Sequence, residues 1–270
     1  GVVSLRDLIV ASPDTFIKDI MKTDVKSINV AAHRQEAAKL ISRYGFLALP
    51  VVDDYGTLLG IVTVDDALTV MEEEGTEDIY KLAGSDYDEN IVLGRSTPWQ
   101  RAKRRLPWIM IAVVGEIFSG RVINNFSAAL ETLVTLSFFI PVLMDMGGNV
   151  GTQSAAIVVR ALAIGEMKSI SLTKNVLREL AVGIVLGIAN GVIVAIVAYL
   201  WKGNILLGIT VGLTMIFNLA LAAALGAFIP LLWHRIGYDP AVASGPLVTT
   251  ILDILGLFTY FSVATWLFEI

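Results

Sequence analysis

The sequence predicts a mixed fold: a small, partial α/β module followed by an all-α membrane domain of five helices. Two observations lead there. Charge is split along the chain: residues 1–94 hold 17 acids and 8 bases, a net −9, whereas residues 95–270 hold 8 acids and 12 bases, a net +4. The second part consists mostly of apolar runs, long enough at 1.5 Å per residue to cross a hydrocarbon core of ~30 Å. Cysteine is absent, which excludes disulfides and thiolate metal sites. Residues 1–20 are mixed and charged, so no cleavable signal peptide is expected, and the acidic part is expected to stay where it is made.

Within the acidic part, GVVSLRDLI (1–9) has a counterpart 59 residues on, GIVTVDDAL (60–68). In both, Ser or Thr closes a β-branched run and Asp follows three residues later, a capping arrangement that gives Thr63 and Asp66 a local structural role. Between the copies, 25–30 reads as a strand and 33–44 as an amphipathic helix with Ala37, Leu40 and Ile41 on one face. Strands over 46–52 and 58–64 are joined at the turn signal Asp53-Asp54-Tyr55-Gly56, and a helix starts from Asp65. This β-α-β-β-α order, closed by GIVTVDDAL, resembles a CBS domain, and GVVSLRDLI resembles the tail of another. That resemblance implies modules that work in pairs. It also implies ATP or another adenine nucleotide in the cleft, with Thr63 and Asp66 as candidate contacts. The first copy lacks its front, so the sequence is expected to begin inside a domain: 1–12 the tail of one CBS domain, 13–75 a second.

The helix that follows is crowded with acids. Asp65, Asp66, Glu72, Glu73, Glu74, Glu77 and Asp78 make seven carboxylates in fourteen residues. Such a run is either a solvated face or a site for a hard divalent cation such as Mg²⁺ or Ca²⁺, which prefer oxygen ligands. Residues 76–98 are expected to form an acidic connecting helix and linker, and 99–270 the membrane domain. Ser96-Thr97-Pro98 starts a helix, with proline in the first turn.

Five spans are expected, at about 106–125, 132–159, 179–201, 205–233 and 242–268. With the acidic module inside, inner segments carry Arg101, Lys103, Arg104, Arg105, Arg160, Lys168, Lys174, Arg178 and Arg235. Outer connections carry only Arg121 and Lys202. Nine against two places the N-terminus in the cytoplasm and the C-terminus outside. The implied location is the cell inner membrane, crossed several times.

Two stretches inside the spans are chemically out of place. FFIPVLMDMGGNVGTQ (138–153) carries a proline, an acid, paired glycines and two amides, which a lipid-facing helix has no use for. Proline predicts a bend, and the set reads as a pore-lining segment with broken, polar backbone, or as a kinked helix packed through small residues. PLVTTILDILG (246–256) holds Asp253 at mid-span without a Lys or Arg in the same span. A buried lone carboxylate protonates, caps a backbone donor, or faces water and a cation. The cation reading is favoured, with Thr249, Thr250 and Gly256 adding oxygens and space on one side. Glu116 and Asp145 are weaker candidates, each nearer a membrane surface.

PVLMDMGGNVGTQSAAIVVRALA (141–163), GYDPAVASGPLVTTILDILG (237–256) and the acidic GTEDIYKLAG helix after a CBS domain together resemble the MgtE family of magnesium channels. The resemblance implies a homodimer in membrane lipid with the pore between subunits, lined by spans two and five. It implies that Asp253 holds hydrated Mg²⁺ at the inner part of the pore, with Asn149 and the glycines around it shaping the path; Thr249 and Gly256 are added as candidates by the reading of span five above. It also implies that the acidic helix is a plug closed by cytoplasmic Mg²⁺ bridging Asp65, Asp66, Glu72, Glu73, Glu74, Glu77 and Asp78. Nucleic acid is not an expected partner, and no enzymatic activity is implied. Gly245 stands where some members carry Asn, removing an amide ligand. The family's N-terminal acidic helical domain is not in this sequence, and weaker closure by Mg²⁺ is expected with it and the front of the first CBS copy missing. An intramembrane metalloprotease needs paired histidines near a glutamate, whereas only His33 and His234 are present, in separate regions. An ion-coupled divalent-cation carrier with Asp253 as the exchange site remains open.

Overall fold

The computed structural model describes residues 1–165, 171–242 and 245–269. The chain divides into two compact units, Gly1–Gly75 and Thr76–Ile270. Lys168, counted above among the inner charges, lies outside the described residues.

In the first unit, α1 (Leu5–Val10) starts at Ser4, whose hydroxyl accepts from the Asp7 N–H at 3.1 Å. Val2 pairs with Lys22 in an isolated bridge, and α2 (Ile17–Ile20) follows. Then come β1 (Ile28–Asn29), α3 (Arg34–Tyr44), β2 (Ala48–Val52) and β3 (Leu58–Thr63), in the order expected. β2 is central, parallel to β1 and antiparallel to β3. The turn between β2 and β3 is built by the Asp53 carboxylate, which accepts from the N–H groups of Tyr55 at 2.9 Å and Thr57 at 2.7 Å. Ile28, Ala37, Ala38, Ile41, Leu49 and Ala67 form the core, and Leu40 packs at its edge. β1 is shorter than the 25–30 expected. Its register pairs Ile28 with Val51, so extending the ladder toward residue 26 needs the N–H of Pro50, which proline lacks.

α4 (Val64–Leu82) is one continuous helix through the acidic run, with Gly75 inside it. After α5 (Glu89–Val92), α6 (Pro98–Asn125) opens on a capping box: Thr97 Oγ1 accepts from the Gln100 N–H, and Gln100 Oε1 accepts from the Thr97 N–H at 2.8 Å. α7 (Ser127–Thr132) and a 3₁₀ segment (Val134–Phe139) lead into α8 (Ile140–Ala163). The long helices α9 (Leu172–Lys202), α10 (Ile205–Arg235) and α11 (Pro246–Phe268) complete the unit. Among the described residues, five segments are long and apolar enough to cross a membrane: α6, the 3₁₀ segment with α8, α9, α10 and α11. α10 is the hub, packing on α8, α9 and α11, while α11 also packs on α6 and α8.

Two expectations for the second span are corrected. Pro141 does not bend the helix: it sits in the first turn of α8, where its missing N–H has no helical partner to lose. The backbone through Gly147, Gly148 and Asn149 is unbroken helix. The glycines there serve close packing instead. A Cβ on Gly151 would fall 2.2 Å from Leu252 Cδ1, and one on Gly226 of α10 would fall 2.3 Å from the Gly151 carbonyl oxygen. α9 and α10 meet the same way, a Cβ on Gly187 falling 2.7 Å from Ile216 Cα.

Candidate cation path and acidic helix

α11 starts at Gly245, whose φ of 60° suits glycine, and Pro246 takes its first turn. Asp253 lies two turns further on, half-buried. Its nearest charged neighbour is Glu116 of α6, whose carboxyl is within hydrogen-bonding reach. The approach is set one residue earlier on α6. A Cβ on Gly115 would fall 1.8 Å from Thr250 Cγ2, so only glycine lets the helices close here. Two carboxylates this near repel unless they share a proton or a cation. Glu116, one of the two weaker candidates in the sequence, thus neighbours Asp253.

Asn149 is exposed on α8 and its Nδ2 donates to Asp145 Oδ2 at 3.0 Å. Gln153, one turn on, is exposed as well. Thr249 turns its hydroxyl to the Pro246 carbonyl at 3.1 Å, and its Cγ2 lies 3.5 Å from the Cβ position of Gly148, so α8 and α11 touch at this level. Gly256 is buried, and its open side is filled by the amide of Asn218 from α10. Sequence reasoning missed Asn218, although a single amide in mid-course of a 31-residue apolar helix is itself a signal. It also missed Ser154 of α8, whose hydroxyl donates to Glu179 of α9 at 2.7 Å.

In the acidic helix, much of the charge already has a counterpart. Arg34 Nη1 meets Glu73 at 2.6 Å and its Nη2 meets Glu74 at 3.1 Å, while Gln35 donates to Glu74 as well. The hydrogen bond to Glu73 outweighs a small burial effect and raises the Arg34 pKa. Thr63 Oγ1 donates to Asp66 at 2.7 Å, so the two candidate nucleotide contacts are bonded to one another as a cap. Asp65 occupies the first turn of α4 beside Asp66, at the positive end of the helix dipole. Glu72 is exposed and Asp78 half-buried. Among the described residues no three His, Asp or Glu side chains converge to hold a metal ion within one chain. Oxygen-only donors suit a hard cation, but they do not close a cage here by themselves.

Glu77 accepts from Lys81 Nζ at 2.5 Å, and the same ammonium reaches Asp239, in the connection before α11, at 2.6 Å. Burial works to lower the Lys81 pKa, but bonds to Asp239 and Glu77 prevail and raise it. With a raised lysine pKa, this contribution is complete below the ordinary value and is lost only as pH climbs through the raised one. The latch therefore holds across neutral pH. Beside it, Gly84 packs on Pro246, and Gly245 on the Leu82 carbonyl, so the end of α4 rests on the start of α11. Lys81→Gln is expected to loosen this contact by about 1 kcal/mol, a roughly fivefold rise in protease cleavage around 82–96. An unchanged cleavage rate would show the pairs to be energetically idle.

Both parts of the chain match known families. Residues 140–263 match the MgtE family model, described as a divalent cation transporter, and residues 17–73 match the CBS domain model. The chain is 41% identical over 265 residues to the magnesium transporter MgtE of Bacillus subtilis, covering 98% of this chain and 58% of that protein. It is 39% identical over 269 residues to the magnesium transporter MgtE of Thermus thermophilus, covering 100% and 59%. With the magnesium transporter MgtE of Enterococcus faecalis the identity is 38% over 265 residues, covering 98% and 58%. The chain thus spans somewhat under two thirds of the length of these relatives. With an MgtE domain across its helices and a CBS domain ahead of them, it belongs to the MgtE family.

Proposed function

We propose that this protein passes Mg²⁺ through a membrane, along a path formed where two copies meet and lined by α8 and α11. The observation that carries the reading is the polar row on α8. Asp145, Asn149 and Gln153 stand exposed, one turn apart, within a segment otherwise apolar enough to span. Facing lipid, that row is costly; facing water on the symmetry axis of a pair, it is useful. The names of the relatives supply the ion: each is a magnesium transporter.

The chemistry is consistent with that ion. Mg²⁺ dehydrates reluctantly and keeps several waters, so its path needs few carboxylates and room for a hydrated ion. Asp253 supplies the charge and Glu116 adds a second carboxylate in the same subunit, giving four across a pair. Asn149 and Thr249 offer oxygens to the water shell rather than to the metal. The acids of α4, from Asp65 to Asp78, are the regulatory set, with cytoplasmic Mg²⁺ favouring the closed arrangement. Among the described residues they do not converge into a cage, and in this reading a second surface completes the site. An adenine nucleotide at the CBS module rests on the family of that module alone, and binding there must displace the Thr63–Asp66 bond. Inner charges Arg101, Lys103, Arg104, Arg105, Arg160, Lys174, Arg178 and Arg235 support an N-terminus in the cytoplasm.

Planar-bilayer recording of the purified protein tests the reading. Unitary Mg²⁺ current steps are expected, with the Asn149→Ala variant keeping assembly and losing a few-fold in conductance, since it alters shape and hydration rather than charge. Flux that needs an opposing proton or Na⁺ gradient, without current steps, would replace the channel with a carrier.

A further inference from the structure

Asn218 lies in the middle of α10 and is 1% exposed. Its Nδ2 donates to the carbonyl oxygen of Leu143, in the first turns of α8, at 2.7 Å. Only the nitrogen can donate to a carbonyl, so the orientation of the amide is fixed by chemistry. Its Oδ1 has no hydrogen-bond partner among the described residues. An aliphatic side chain at this depth would avoid leaving an acceptor bare, but it would forfeit the bond to Leu143.

The space around the amide explains its value. A Cβ on Gly147 of α8 would fall 3.0 Å from Asn218 Nδ2, and a Cβ on Gly256 of α11 would fall 2.9 Å from Oδ1. The flat amide is therefore held between two glycines, one from each of the helices that touch at Gly148 and Thr249. The bond to Leu143 sets how far α8 slides along α10, and the two glycine contacts set how closely α8 and α11 approach it. Asn149 follows Gly147 by two residues, and Asp253 precedes Gly256 by three.

We propose that Asn218 is a positioning residue: by clamping α8 and α11 through Leu143, Gly147 and Gly256, it sets the relative depth of Asn149 and Asp253 without touching the ion. The proposal rests on the reading of α8 and α11 as the lining helices for its effect on Mg²⁺, but not for its effect on geometry. Ångström-scale displacement of such groups costs one to two powers of ten in comparable sites.

Because the chain has no cysteine, the geometry can be read directly. The Cβ position of Gly148 lies 3.9 Å from Thr249 Cβ, within disulfide range, so the pair Gly148→Cys and Thr249→Cys reports the spacing of α8 and α11. In the membrane-reconstituted protein, Asn218→Ala is expected to slow formation of that cross-link roughly tenfold and, without the added cysteines, to lower the Mg²⁺-to-Ca²⁺ permeability ratio by a similar factor. Gly256→Ala pushes on the amide from the opposite side and is expected to do the same. Combining Gly256→Ala with Asn218→Ala disables the same clamp only once, so the double variant should cross-link no more slowly than either single variant. Two independent defects of a generally weakened fold would instead multiply. An unchanged cross-linking rate in Asn218→Ala overturns the clamp, whatever the currents do. If Asn218→Ala fails to assemble, cross-linking by Gly256→Ala at the parental rate overturns it equally. Slowed cross-linking in a protein that passes no Mg²⁺ keeps the clamp and removes the transport reading instead.

Discussion

Replacing Asp253 by Asn is expected to abolish the proposed Mg²⁺ current while leaving the folded protein intact. The side chain keeps nearly its shape, so α11 should still pack on α6, α8 and α10. What disappears is charge. A divalent ion ~5 Å from a carboxylate, at an effective dielectric constant of ~20, is attracted by roughly 6–7 kcal/mol before desolvation is counted. If only a third of that survives as net affinity, about 2 kcal/mol, occupancy of the site still falls some thirtyfold. Glu116→Gln should be milder, because the Asp253 carboxylate is kept. Recording across a Mg²⁺ series, with size-exclusion chromatography as the control for assembly, checks both. Ordinary Mg²⁺ current from Asp253→Asn would remove Asp253 from the path.

What could be read in the residues and what could not divides along one line. Properties local to a helix were legible. Thr97 and Pro98 announced the start of α6, and Ala37 and Ile41 gave the buried face of α3. Length and apolarity gave five spans, although the ends moved: α6 starts at Pro98 rather than near 106, and α9 at Leu172 rather than 179. The turns ahead of these apolar runs are helical too, and hydropathy marks only the part that lipid would see. Pro141 misled for a related reason. A proline in an apolar run is compatible with a kink and with a helix start, and the 3₁₀ segment before it decided for the start.

Partnerships between distant residues were not legible. Glu116 and Asp253 lie 137 residues apart, and nothing in the α6 run shows which helix Gly115 will admit. The periodicity of one helix gives a face, not the neighbour that meets it. Gly256 was assigned to the path as a source of space; the space is real, but Asn218 fills it. The acidic run was legible as a cluster, while its countercharges were not, since Arg34 stands 39 residues before Glu73 and Lys81 reaches across 158 residues to Asp239.

Those countercharges sharpen the test of regulation. Neutralising Glu72, Glu73, Glu74, Glu77 and Asp78 together, to Gln and Asn, is expected to leave the path conducting at Mg²⁺ levels that close the parent protein. Residues 1–94 carry a net −9, and bringing acidic surfaces together costs repulsion that a bound divalent cation offsets. A ligand shifts such an equilibrium only by its preference for one state, so removing the carboxylates removes the preference. On structure alone the same substitutions also delete the bonds from Arg34 and Lys81, and a loosened helix would mimic an open path. A second variant separates the two causes. Arg34→Gln deletes the pairing with Glu73 and Glu74 but makes the acidic run more negative, so Mg²⁺ should bind more tightly and closure should move to lower Mg²⁺. If pairing rather than charge governs closure, Arg34→Gln moves it to higher Mg²⁺, in the direction of the five-fold variant. Patch recordings of both across a cytoplasmic Mg²⁺ series give opposite shifts on the electrostatic account. Closure at the parental Mg²⁺ concentration in the five-fold variant would reduce the acids of α4 to a solvated face.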